Sequence, residues 1–162
     1  MKFELIFPLV IALLWLVKSI VLIRAEERGV VLRLGRMQPE VKPPGLSFIY
    51  WPIDTVYRVS LREQTLEVPA REVRVDDRRT LNLGATLKFR VLDALLAFSQ
   101  VQNYQYALSE LASLKLKDVA RRQAVEKYLA SDETLGENLR KLLGKDAETW
   151  GIEILDVQVR PF

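Results

Sequence analysis

The sequence has no cysteine and no histidine among its 162 residues. The first absence excludes a disulfide framework, a thiolate nucleophile and a sulfur-ligated metal. The second removes the commonest general base near neutral pH, the usual activator of serine and the usual zinc ligand. No glycine-rich nucleophile elbow precedes any serine, and no Gly-x-x-x-x-Gly-Lys phosphate loop occurs. A large charge of one sign is also missing. The formal net charge is +3, and no basic stripe interleaved with aromatics is present, so nucleic acid is not an expected partner. No catalytic residue, metal or cofactor is expected.

What the chain does have is a long apolar N-terminus. One block carries Leu5, Ile6, Phe7, Pro8, Leu9, Val10, Ile11, Leu13, Leu14, Trp15, Leu16 and Val17. After Lys18-Ser19 a second carries Ile20, Val21, Leu22 and Ile23. The run matches the roughly 20 residues a helix needs to cross a hydrocarbon core about 30 Å thick. Residues 1–24 are therefore expected to be a membrane anchor. A cleaved signal peptide fits poorly, because the apolar stretch is too long and no small-x-small site follows it. An ordinary spanning helix is the expectation, with Lys18 reaching back toward the headgroups. A kinked, re-entrant insertion stays open through Pro8, which removes a backbone donor. Arg24, Arg28, Arg33 and Arg36 crowd the C-terminal flank, which places the domain in the cytoplasm by the positive-inside rule.

The next stretch reads as short strands. Gly29–Leu34 ends at the turn signal Gly35-Arg36; Val56–Arg62 and Gln64–Val68 follow, with Pro69 closing the second. Thr80–Val91 is the clearest strand, because Leu81, Leu83, Ala85, Leu87, Phe89 and Val91 alternate with polar or small residues. A polar turn, Asp76–Arg79, precedes it. The period then changes. Asp93 can cap a short helix over Ala94–Phe98, and a longer one runs from about Tyr104 to Leu116, with a possible extension to Leu129. Ser131-Asp132-Glu133-Thr134 opens another helix, which is expected to bury Leu135, Leu139, Leu142 and Leu143 and to stop at Trp150-Gly151. A last strand covers Ile152–Val159. Strands first, then helices and a closing strand, make an α+β domain.

One loop is unusually greasy. Pro43–Pro52 holds Leu46, Phe48, Ile49, Tyr50 and Trp51 between prolines and a glycine. These side chains either pack into the core beneath the loop or, since Trp and Tyr favour membrane interfaces, bring Phe48, Ile49, Tyr50 and Trp51 onto the bilayer surface.

These residues also carry a family resemblance. Arg24-Ala25-Glu26-Glu27-Arg28-Gly29-Val30-Val31-Leu32-Arg33-Leu34-Gly35-Arg36 resembles the entry to the stomatin/prohibitin/flotillin (SPFH, or band-seven) domain. Pro44-Gly45-Leu46, Pro52 with Asp54, Val68-Pro69 with Glu72-Val73, and Trp150-Gly151-Ile152-Glu153 continue the match in order. Among members the chain is most similar to stomatins and to bacterial and archaeal stomatin-like proteins. The resemblance implies an SPFH-type domain in two subdomains, 25–75 and 76–162, and a non-enzymatic scaffold at the membrane. It implies assembly with copies of itself, or with related SPFH subunits, into rings or cages that organise membrane microdomains. The implied clients are neighbouring membrane proteins, among them membrane AAA proteases. Family proteins normally continue into a helical, coiled-coil region; this sequence stops at Phe162 without one, so it is either a fragment of a longer protein or one whose assembly rests on the SPFH domain and membrane alone. Three alternatives remain: a subunit of a membrane AAA-protease regulator, an anchored adaptor that does not assemble, and a Ser-Lys hydrolase. The last would use Ser113 with Lys115 or Lys117, residues better read as a helix surface.

Overall fold

A computed structural model describes residues 3–76, 79–100, 103–122 and 132–161. The chain forms two compact units, Met1–Leu61 and Arg62–Phe162. The first contains helix α1 (Phe3–Lys18) and strands β1 (Ile20–Ile23), β2 (Glu27–Arg33), β3 (Arg36–Lys42), β4 (Gly45–Phe48) and β5 (Asp54–Ser60). The second contains strands β6 (Gln64–Asp76), β7 (Arg79–Val91) and β8 (Ile152–Pro161). Between β7 and β8 run helices α2 (Ala94–Gln100), α3 (Tyr104–Arg122) and α4 (Asp132–Glu148). This is the expected α+β order.

The apolar N-terminal run is not one helix. It leaves the helical path at Ser19, and Ile20–Ile23 becomes a strand pairing antiparallel with β4. Branched Ile and Val favour that state once a partner supplies the hydrogen bonds. The 16 residues of α1 reach about 24 Å at 1.5 Å per residue, short of the hydrocarbon thickness. Among the described residues no helix is long and apolar enough to cross a membrane. In place of the expected single helix over the whole apolar run, the described residues form a shorter helix followed by a strand.

The first unit builds a second antiparallel sheet in the order β3-β2-β5. Val30 and Val31, on opposite faces of β2, are both buried, as are Val59, Ile23 and Ile49. Strand β3 passes through Pro39, and its register against β2 slips between Val30 and Leu32. An edge strand with a bulge tolerates a proline because no ladder hydrogen bond needs its missing N–H.

The same physics revises the reading of Pro69. Instead of closing a strand it lies within β6, an edge strand of the sheet β6-β7-β8, at a register shift between Val68 and Arg71. Strand β6 continues to Asp76 and pairs with β7, and the two compact units divide at Leu61/Arg62. Leu83, Ala85, Leu87, Phe89 and Val91 are buried in alternation, as their spacing requires. Helix α3 packs on β6 and β7, and α4 packs on β8 and α3, burying Leu108, Ala112, Leu116, Leu139 and Leu143.

The helix caps follow the sequence. Asp93 Oδ1 accepts from the N–H groups of Leu95 at 2.8 Å and Leu96 at 3.0 Å. Gly151 ends the α4 segment at φ 66°, and its carbonyl accepts from Leu92 N at 2.8 Å. Leu142 departs from expectation: it points outward, 40% exposed, while Leu135, Leu139 and Leu143 are buried. The extension of α3 to Leu129 lies outside the described residues, as does Ser131.

Gly136 marks the close approach of α4 to β8, since a Cβ there collides with the carbonyl oxygen of Val157. Gly→Ala in a helix interior ordinarily stabilises by roughly 1 kcal/mol. Here the neighbour is backbone, so Gly136→Ala should destabilise by about 1–3 kcal/mol. Urea unfolding measures this; a stabilised variant would contradict the contact.

Candidate membrane-binding surface

The candidate site lies in the first unit. Every described side chain of α1 from Pro8 to Lys18 is exposed, including Leu9 at 70% and Val17 at 64%. A helix that is hydrophobic all round has its stable place in a protein interior or a lipid phase. Leu5, Ile6 and Phe7 belong to α1, but their side chains lie outside the described residues.

The two-stranded sheet β1-β4 extends this surface. Its register places Ile20 opposite Phe48 and Leu22 opposite Leu46. All four are exposed, Leu46 most, at 78%. They alternate with half-buried Val21 and Ser47 and with buried Ile23, so one face of the ribbon is apolar and uncovered.

Aromatic rings join helix and ribbon. Trp15 meets Phe48 edge-on at 5.9 Å between centroids, and Phe48 meets Tyr50 at 5.8 Å. Trp15 Nε1 donates to the Trp51 carbonyl at 2.5 Å, while the Lys18 ammonium lies 6.0 Å from the Trp51 ring centre. Phe48, Tyr50 and Trp51 are all exposed, whereas Ile49 is buried. The loop therefore divides between its two readings: Ile49 is core, and its three aromatic neighbours face outward.

An ion pair secures the loop from behind. Asp54 is buried and binds Arg33 through both oxygens, at 2.8 Å to Nε and 3.0 Å to Nη2. Its Oδ2 also accepts from the Tyr50 N–H at 3.1 Å, and the Arg33 guanidinium lies 5.1 Å from the Tyr50 ring centre. The hydrogen bonds from Arg33 hold the Asp54 carboxyl below its ordinary pKa, against the opposing effect of burial, and the Tyr50 N–H adds to the lowering. The same pairing raises Arg33. Sequence reading missed this pair because its partners are far apart in the chain.

Among the described residues of the second unit, the serine and lysines weighed for catalysis are not brought together. Ser113 is buried and its Oγ has no hydrogen-bond partner, so neither Lys115 nor Lys117 is placed to take its proton. Lys115 instead pairs with Asp146 at 2.8 Å. Among the described residues no cluster of carboxylates fit to hold a metal occurs.

The order of antiparallel strands, helices and closing strand, with an exposed apolar surface at its N-terminal end, defines an α+β module. The chain belongs to the SPFH domain / Band 7 family, whose sequence profile matches residues 21–161. It is similar to a stomatin homolog of Pyrococcus horikoshii, 30% identical over 94% of this chain and 57% of that protein. It is also similar to human stomatin-like protein 3, 32% identical over 86% of this chain and 48% of that protein. Stomatin-1 of Caenorhabditis elegans is 30% identical over 86% of this chain and 42% of that protein. The chain thus spans about half the length of these relatives. Helix α1 precedes the part that the family profile matches.

Asp54→Asn removes the charge that holds Arg33 and should lower Tm at neutral pH. Because the folded-state pKa of Asp54 is depressed, its stabilisation is present above the unfolded value of about 4 and is lost as pH falls through the folded value. The Tm gap between wild type and variant should close below about pH 4. A gap independent of pH, followed by calorimetry, would contradict the assignment.

Proposed function

We propose that this chain is the SPFH portion of a membrane-attached scaffold that acts by position rather than by catalysis. The observation that carries the reading is the apolar helix α1, exposed all round over its described side chains and joined to an exposed aromatic cluster. In this reading helix α1 lies within one leaflet, its 16 residues being fewer than the roughly 20 that ordinarily cross. The ribbon β1-β4 has open edges, whose backbone groups need water or headgroups. It therefore sits at the interface, where Trp15, Tyr50 and Trp51 find both apolar and polar surroundings. Lys18 beside Trp51 reaches the phosphate level.

In this reading the domain lies on the cytoplasmic face, with Arg24, Arg28 and Arg36 toward anionic lipid. Copies of the chain, or related SPFH subunits, assemble side by side on the bilayer and mark out a patch of it. Membrane proteases or other membrane proteins in that patch are its clients. What supports assembly and clients as a reading is the stomatin resemblance and the family to which the chain belongs.

Flotation of the full chain with phosphatidylcholine/phosphatidylglycerol vesicles tests attachment. Wild type should rise with the vesicles. Leu13→Glu with Val17→Glu should fold unchanged by circular dichroism, since both side chains are exposed. Its partitioning should fall roughly a hundredfold, about tenfold for each apolar side chain lost from lipid. Wild type remaining in the aqueous fraction sinks the reading.

A further inference from the structure

The β2–β3 hairpin ends in a two-residue turn, Leu34-Gly35, between the paired residues Arg33 and Arg36. Both turn residues have positive φ, 49° at Leu34 and 76° at Gly35. This turn suits glycine, asparagine and aspartate, because a Cβ is strained in the left-handed region. Leucine is a poor choice for the turn on folding grounds. Nor does packing account for it, because Leu34 is 79% exposed.

Its neighbours supply an account. The Leu34 N–H donates to the Ile53 carbonyl at 3.0 Å, and Ile53 is itself exposed. The preceding residue, Arg33, lies against Tyr50, and Tyr50 leads through Phe48 to Trp15. The tip is thus joined by successive contacts to the surface of α1, with exposed Arg36 following it. Arg33 is held by Asp54, but an apolar tip followed by exposed Arg36 complements an anionic lipid interface.

We infer that Leu34 is a second membrane-inserting point: the β2–β3 tip, with Ile53 beside it, enters the headgroup–acyl boundary of an anionic bilayer alongside α1. This rests on the membrane attachment proposed above and adds to it a residue selected for lipid at the expense of turn geometry.

The strain makes the test specific, because one substitution should move stability and binding in opposite directions. Leu34→Asn of the full chain should melt at or above the wild-type temperature, since asparagine suits the turn. Its partitioning onto phosphatidylcholine/phosphatidylglycerol vesicles should fall roughly tenfold. In parallel, Leu34→Cys places a unique thiol in a chain that has none. An environment-sensitive fluorophore attached there should shift to the blue when the same vesicles are added. Leu34→Asn partitioning like wild type, or a label that stays in water while the protein binds, overturns the inference and leaves attachment through α1 standing. Loss of self-association with vesicle binding intact also overturns it and assigns the tip to a second copy. Wild type that ignores the vesicles removes the attachment and the tip together.

Discussion

The Trp15 carbonyl accepts hydrogen bonds from the Ser19 N–H at 3.0 Å and from the Ser19 hydroxyl at 2.8 Å. Ser19 is buried, and its own carbonyl accepts from Ile49 N at 2.8 Å. The first two bonds complete the last turn of α1, which a further bond from the Ser19 N–H to the Leu16 carbonyl at 3.2 Å tightens. The third leads into the pairing of β1 with β4, so a run of apolar residues long enough for one spanning helix becomes a short helix and a strand. They also tie the helix end to the loop that carries Phe48, Tyr50 and Trp51. The remaining features of the surface depend on this junction. The ribbon β1-β4 exists only because Ile20–Ile23 leaves the helix, and Trp15 reaches Trp51 only because the chain turns there.

A rigid rear support complements the junction. Asp54 receives three hydrogen bonds, two from Arg33 and one from the Tyr50 backbone, and so fixes the aromatic loop relative to the β2–β5 pairing. With the loop held, exposed aromatic side chains need not reorganise when they meet lipid, and less ordering entropy is lost on binding. The second unit has the ordinary economy of a helix-covered sheet, and its described buried apolar side chains are accounted for by packing.

Much of the second unit was legible in the sequence because its signals are local. The alternation along β7, the Asp93 cap and the Gly151 stop each rest on spacing within a few residues. What escaped was set by distant partners. Ile20–Ile23 becomes a strand through Gly45–Phe48. Pro39 and Pro69 are tolerated inside strands because those strands lie at sheet edges, a placement that no local pattern encodes. The aromatic loop was legible as a suspect, but which of its members turn outward depends on the β1-β4 register and on Asp54. Leu34 was read as the end of a strand; only its backbone conformation shows the misfit.

The central claim is that the N-terminal apolar surface lies shallowly within one leaflet. Quenching of Trp15 and Trp51 fluorescence by brominated lipids measures depth directly, with Trp150→Phe removing the remaining tryptophan. The account predicts quenching of both, strongest when the bromines lie near the headgroup end of the acyl chains. No quenching at any depth, or quenching of Trp15 strongest at the bilayer centre, would contradict it.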